Sequence, residues 1–294
     1  MKLRCLAPAK VNLSLLLGAT REDGRHRLVT VFESLSLADT LELEVLDGGP
    51  DEVICPGVEG ENLASRALVW LRARGWDGPA IRITIEKRIP VAAGMAGGSA
   101  DAAAALRLAM ALAPGRAEEV DAIAAELGAD VPAQLLPGVA VGTGAGEIVE
   151  HFEPLAEHAF VVVPSDLRLS TPDVFREADR LALTRTDAQL GGLYLDVVGA
   201  LVPGGKLPDQ LIVNDLAPAA VSLCPGCADA LAAVRAAGAE HALVSGSGPT
   251  VFGIWWGESA AERASAAADQ LRAQYPECVV AMPVNAEYAA ASLI

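Results

Sequence analysis

Positive charge is scarce in this sequence beside negative charge. Its 294 residues include 22 Lys and Arg against 38 Asp and Glu, a net charge of −16. That balance repels polyanions, which excludes nucleic acid and anionic membrane surfaces as general partners. Any phosphate the chain holds must be held by local groups. Long apolar runs are missing too. No uncharged stretch approaches the roughly 18 residues of a membrane span. The N-terminal MKLRCLAPAKVNLSLLLGAT starts with a positive charge and apolar residues, but Lys10 and Asn12 interrupt them and Arg21-Glu22-Asp23 follows, a poor secretion signal. The five cysteines are an odd number in a long chain, which fits free thiols in a reducing cytoplasm better than a disulfide scaffold. Cys224-Pro-Gly-Cys227 lacks the second pair of a structural zinc site and the thioredoxin-like context of a redox motif, so it reads as a turn opening a helix. Repeats and long low-complexity linkers are absent. Nothing specifies an oligomeric state.

What is present organises into one large domain or two ordinary ones, with 52% hydrophobic residues for a sizeable core. LELEV (41–45) and IRITI (81–85) alternate as half-buried strands do. Between them NLASRALVWLRARG repeats apolar residues at helical spacing, with Asn62 placed to cap the helix and Gly75 to end it. SADAAAALRLAMALA and AEEVDAIAAEL predict two more helices, the second stopped by Gly128, and 139–149 predict a hairpin. A second unit starts near residue 155. AFVVVP (159–164) is a strand, and Thr171-Pro172-Asp173 is a helix start with Thr171 as cap. HALVSG (241–246) and TVFGIWW (250–256) are strands around a glycine turn, followed by a helix over 258–274 and a strand over 278–284. With intervening helices as insertions, the order is β-α-β-β-α-β, the ferredoxin-like pattern. Residues 191–209 are the loosest stretch and read as a mobile loop.

The stretch PVAAGMAGGSADAAAAL (90–106) places flexible glycines directly before an alanine-rich helix. Glycines let backbone N–H groups converge, and a helix N-terminus adds free donors and roughly half a positive charge. The combination is an anion site, most commonly for phosphate. No Gly-Lys-Ser/Thr follows, so it is not a Walker loop; the plainer alternative is a tight turn with Ser99 as an ordinary cap. Asp130, in LGADVPAQ, reads either as a helix cap before Pro132 or as a catalytic carboxylate. Lys10, in APAKVNLSL, either snorkels or has an anionic partner. His26 follows an Asp-Gly turn, where a lone histidine is usually solvated. SGSGPT (245–250) by itself is a strand-joining turn.

The joint order of these stretches resembles the GHMP small-molecule kinases, named for galactokinase, homoserine kinase, mevalonate kinase and phosphomevalonate kinase. PVAAGMAGGSADAA is similar to their phosphate-binding loop and SGSGPTVFG to their C-terminal glycine motif. APAKVNLSL, DGRHRLVTVFESLSLADTL, ENLASRAL, LGADVP and NDL are similar to the branch that phosphorylates a cytidine-diphosphate sugar alcohol of the non-mevalonate isoprenoid pathway. The resemblance implies a two-domain α+β fold: a ribosomal-protein-S5-like ATP-binding domain over 1–155 and a ferredoxin-like substrate-side domain over 156–294, with the site between them. It implies ATP against Pro90, Val91, Ala92, Ala93, Gly94, Met95, Ala96, Gly97, Gly98, Ser99 and Ala100, with the N–H groups of Gly94, Gly97, Gly98 and Ser99 around the phosphates. Asp130 takes or orients the proton of the attacking hydroxyl and Lys10 lies beside it. Phosphoryl transfer needs positioning and charge neutralisation more than covalent help, which suits such a pair. Asn12 bonds the substrate polyol, His26 the cytosine edge, and Thr171 and Phe175 complete the substrate wall. Mg²⁺ accompanies ATP, with Ser99 the one candidate protein ligand and no metal-ligating cluster readable.

The sequence departs from the family in two places. Arg25 stands where relatives carry a base-stacking aromatic, a place a guanidinium plane can fill. Ala92, Ala93 and Ala96 replace glycines, which is harmless wherever φ is negative. Asp101 is expected to complement the helix dipole without touching ATP, and a side chain at Gly97 to fill the phosphate cradle. Two alternatives stay open: another kinase of the family, acting on homoserine or mevalonate, or a non-catalytic ATP sensor on the same scaffold.

Overall fold

A computed structural model gives the architecture and describes every residue except 59, 61, 92 and 166. The chain begins with two long strands, β1 (Lys2–Thr20) and β2 (His26–Val45). Next come β3 (Glu52–Ile54), α1 (Leu63–Ala73), β4 (Ile81–Glu86), α2 (Gly97–Leu112), α3 (Val120–Leu127), α4 (Val131–Leu135) and the hairpin β5 (Val139–Thr143) with β6 (Ile148–Phe152). The second half carries β7 (His158–Val163), α5 (Thr171–Arg180), α6 (Asp187–Ala200), β8 (Val213–Asn214), α7 (Ala217–Leu223) and α8 (Gly226–Ala236). It closes with β9 (His241–Val244), β10 (Val251–Trp256), α9 (Ala260–Leu271), β11 (Val279–Ala281) and β12 (Ser292–Leu293).

The strands form two sheets. The first runs β12-β1-β2-β4-β3, with β5 on β2, β6 on β5, and β8 parallel to β1. The second runs β11-β7-β10-β9, antiparallel throughout. That order, with helices between the strands, is the ferredoxin-like arrangement expected for the second half, and the fold is α+β. β8 and β12 come from the second half of the chain yet pair with β1 of the first sheet.

Three large apolar layers hold the elements among the described residues. One packs α1 to α4 on the first sheet through Leu41, Leu43, Ile81, Ile83, Ile85, Leu68 and Leu71. Helix α2 is buried over much of its length: Ala100, Ala102, Ala103, Ala104, Ala105 and Ala109 are buried, and their small side chains let it lie close to its neighbours. A second layer lies between the sheets, where Val11, Leu13, Val29 and Val31 meet Phe160, Val162, Phe252 and Ile254. The third packs α5, α7, α8 and α9 on the far face of the second sheet.

Strand alternation places the chemistry. Ala9, Val11 and Leu13 point into the inter-sheet core, so Lys10 and Asn12 fall on the other face. The pairing of β1 with β2 shifts register between Pro8 and Lys10 and again between Asn12 and Ser14. Such irregularities bend a strand and re-aim its side chains.

Some local expectations are corrected. The helix expected from Ser99 begins at Gly97, its cap position is Ala96, and Ser99 lies inside the first turn. The cap of α5 is Ser170, with Thr171 and Pro172 as the first helical residues, and no side chain bonds the cap. Much of the stretch expected to be a mobile loop, 191–209, is the body of α6. Thr186 and Gln189 close a full capping box at its start, and Leu190 and Val197 are buried in the inter-sheet core. Cap and burial together outweigh the helix cost of Gly191, Gly192 and Gly199. Cys224 and Cys227 are buried free thiols at the α7–α8 junction.

Candidate functional site

A cavity of about 1020 Å³ opens between the first sheet, α2, α4 and α5. Its walls gather residues from distant parts of the chain. Lys10, Asn12, Arg25, His26, Asp130, Thr171 and Phe175 line it, as do Pro90, Val91, Ala93, Gly94, Ala96, Gly97, Gly98 and Ser99. Two expected members are elsewhere: the side chains of Met95 and Ala100 are buried in the cores, because their backbone segments turn inward where the loop anchors to the sheet and α2 packs on its neighbours. Ala92 lies outside the described residues.

At the centre, Lys10 is only 5% exposed, so it does not snorkel. Its Nζ donates to Asn12 Oδ1 at 2.8 Å and lies 3.5 Å from Asp130 Oδ2. It also sits 5.5 Å from the centroid of the Phe32 ring. Asp130 occupies the cap position of α4, but its side chain makes no capping bond. The carboxylate instead faces Lys10 and is 35% exposed, leaving it accessible from the cavity. Asn12 is more committed than its expected role requires. Its Oδ1 receives Lys10 and its Nδ2 donates to Thr30 Oγ1 at 2.7 Å. It therefore orients the lysine as well as facing the cavity.

One end of the cavity is formed by the glycine-rich loop before α2. Gly94 has φ +75°, and a Cβ there would stand 2.4 Å from the Ser245 carbonyl oxygen, so only glycine fits. Ser245 Oγ donates to the Gly94 carbonyl at 3.0 Å, and the Lys10 N–H donates to the Met95 carbonyl. The C-terminal glycine motif and β1 thus clamp the loop from both sides. Asn214 of the NDL stretch fixes that motif by donating to the Val244 and Gly246 carbonyls. Ala96 has φ +55°, so the alanine substitution is not harmless there. A left-handed alanine costs about 1 kcal/mol, strain of the kind that functional loops retain. The Gly97 expectation is also corrected. A Cβ there would meet Ile89 at 3.1 Å and Lys87 Nζ at 3.3 Å, which is protein and not open cradle. At Gly98 the nearest atom is Leu63 Cδ1 at 3.6 Å, and that position faces the cavity.

At the opposite end, His26 is buried and not solvated. Its Nε2 lies 2.7 Å from Asp179 Oδ1 and 3.2 Å from Thr20 Oγ1, so that nitrogen is already engaged. Its ring packs on Phe175, with centroids 5.1 Å apart. Thr171 Oγ1 meets Ser247 Oγ at 3.0 Å, tying α5 to the glycine motif. Arg25 is half-exposed and pairs with Asp23 at 3.0 Å and Glu147 at 3.6 Å. Arg21 completes the ring through Glu147 at 2.8 Å and Asp23 at 3.1 Å. The ring links the 21–25 turn to the β5–β6 turn.

Sequence reasoning missed a third group. Lys87, immediately after β4, binds Asp101 of α2 at 2.7 Å and also binds the fully buried Asp39 of β2. Asp101 does not merely complement a dipole. Burial, together with Asp39, pushes its carboxyl up to about 7 despite Lys87. Burial opposes the Lys87 ammonium, but Asp101 and Asp39 overcome it and raise its pKa. The adjacency of Lys87 to the glycine loop was a visible signal; its two partners were not.

Comparison with known proteins agrees with this geometry. The GHMP kinases N terminal domain matches residues 62–138 and the GHMP kinases C terminal domain matches residues 203–275. The chain belongs to the GHMP kinase family. It is 44% identical to a 4-diphosphocytidyl-2-C-methyl-D-erythritol kinase of Rhodococcus jostii, over 88% of this chain and 86% of that protein. A protein of the same description from Streptomyces avermitilis is also 44% identical, over 85% of this chain and 86% of its own length. A crystal structure of 4-(cytidine 5'-diphospho)-2C-methyl-D-erythritol kinase superposes with a TM-score of 0.76 at 36% identity, covering 95% of this chain and 98% of the other.

Proposed function

We infer that this chain is an ATP-dependent kinase that phosphorylates a hydroxyl of 4-diphosphocytidyl-2-C-methyl-D-erythritol in the non-mevalonate isoprenoid pathway. The observation that carries the reading is the Lys10–Asp130 pair in the same cavity as the glycine-bounded start of α2. Asp130 accepts the proton of the attacking hydroxyl as its oxygen bonds to the γ-phosphorus and ADP departs. Lys10, held by Asn12, stabilises the charge on the transferring phosphoryl group. The N–H groups of Gly97, Gly98 and Ser99 are first-turn donors of a helix and suit phosphate oxygens. Arg25, His26, Thr171 and Phe175 wall the end that takes the cytidine diphosphate.

Mg²⁺ belongs to this proposal as the companion of ATP. Among the described residues no cluster of three His, Cys, Asp or Glu is arranged to hold a metal. The donor set therefore fits an ion held chiefly by phosphate oxygens and water, with the Ser99 hydroxyl in reach of that role. When bound, it neutralises charge on the β- and γ-phosphates. The division of labour at residues 155/156, in the β6–β7 loop, and work in the cytoplasm complete the proposal. The latter rests on five free cysteines. No helix among the described residues is long and apolar enough to cross a membrane.

The test is ADP release from Mg-ATP with 4-diphosphocytidyl-2-C-methyl-D-erythritol, homoserine and mevalonate offered in parallel. Release with the cytidyl alcohol alone is expected. Release with another acceptor overturns the substrate, and ATP binding without release on any acceptor points to a sensor. Gly98→Val should raise the KM for ATP several-fold in a folded protein.

A further inference from the structure

We propose that Lys87, Asp39 and Asp101 form a clasp that sets the nucleotide-binding loop, making them positioning residues for ATP. The proposal rests on the kinase reading above. The loop leaves the first sheet at Lys87 and re-enters regular structure in α2, so its two ends must be brought together before the segment between them has a shape. One ammonium does this. Lys87 Nζ reaches Asp101 Oδ2 on the α2 side at 2.7 Å and Asp39 on the β2 side. Asp39 in turn takes the entering backbone, accepting the N–H groups of Arg88 at 2.5 Å and Ile89 at 2.8 Å on Oδ1. The ammonium lies directly under the first residue of α2, since a Cβ on Gly97 would stand 3.3 Å from it.

The cluster is costly for a purely structural tie. Asp39 is fully buried, Asp101 nearly so, and Asp101 Oδ1 has no hydrogen-bond partner among the described residues. A neutral or apolar contact would join α2 to β2 with less desolvation. Lys87 and Asp101 also line the cavity. What the charged arrangement provides is geometry: two fixed directions from one ammonium, tying the end of β4 to β2 and to the start of α2. That start carries the N–H donors, and the left-handed Ala96 immediately before it is held against its own preference. Loosening the clasp lets Ala96 relax and turns the donors away from one another.

Three folded variants test it by calorimetric titration of ATP, which needs no acceptor. Asp101→Asn keeps the shape and removes the charge-assisted bond. Lys87→Met with Asp101→Asn removes the ammonium and one carboxylate together, limiting the buried charge left unpaired. Lys87→Arg retains a cation that reaches both carboxylates. The first two should bind ATP five- to twentyfold more weakly, with the melting temperature of Asp101→Asn near wild type, and Lys87→Arg should keep most of the affinity. Wild-type affinity in both weakened variants overturns the clasp. Weaker binding that tracks a fall in melting temperature, with no recovery in Lys87→Arg, assigns the cluster to stability and overturns it as well. A wild-type protein that does not bind ATP overturns the kinase reading itself.

Discussion

Lys10 beside Asp130 and His158 beside Glu33 are both basic–acidic pairs with a buried base, and they lie on opposite sides of the same two strands. Lys10 sits on the cavity side of β1, at 3.5 Å from a carboxylate that is 35% exposed. Glu33 sits on the core side of β2 and meets His158 of β7 at 2.9 Å, with side chains 2% and 1% exposed. The His158 ring is saturated: its other nitrogen donates to the Ala156 carbonyl at 2.7 Å, and Phe160 and Trp256 pack around it. One pair keeps an open valence toward the cavity. The other is shut away from solvent and joins the first sheet to the second. Similar partners thus serve different ends, decided by what each carboxylate still has free.

The strongest way to break this comparison is at Asp130. Asp130→Asn should reduce kcat roughly a hundred- to ten-thousandfold while the melting temperature holds. Substantial turnover in a folded Asp130→Asn protein removes the carboxylate from the mechanism. The mirror-image change is Glu33→Gln, which should cost about 2 kcal/mol of stability in denaturant unfolding and leave ATP affinity unaltered. A change in affinity without a change in stability would reverse the assignment of the two pairs.

A smaller effect separates them by pH. Burial opposes the His158 imidazolium, but Glu33 and the Ala156 carbonyl overcome it, so its pKa is raised above 6.5. The stability it contributes is complete below 6.5, the ordinary value, and is lost as pH rises through the elevated folded value. The stability gap between wild type and Glu33→Gln should therefore be widest near pH 6 and narrow in alkaline buffer. A gap that widens with pH would contradict a charged His158. The smallest effect is expected at the exposed rim: Arg25→Ala should raise the KM for the cytidyl substrate roughly two- to fivefold and leave that for ATP unchanged.

Patterns short in sequence were legible. The alternation in 41–45 and 81–85, the glycine-then-alanine stretch and the second-half strand order all became the elements they predicted, because propensity and periodicity act over a few neighbouring residues. Local signals also misled where a distant contact outweighed them. The glycines at 191, 192 and 199 favour a loop, but the burial of Leu190 and Val197 in the inter-sheet core made a helix. The left-handed φ of Ala96 is unreadable locally, since the contacts that hold the loop on either side of it come from residues far away in the chain.

By itself, then, the sequence determined the kind of chemistry: an acidic chain that must hold any phosphate on local groups, with a lysine and an aspartate whose motifs belong to one kinase family. Tertiary structure decided which groups are available for it. Lys87 meets Asp39 and Asp101 across 48 and 14 residues, and His26 meets Asp179 across 153. Charge and hydrogen bonding depend on distances of a few ångströms, and no spacing along the chain encodes those once the backbone has turned.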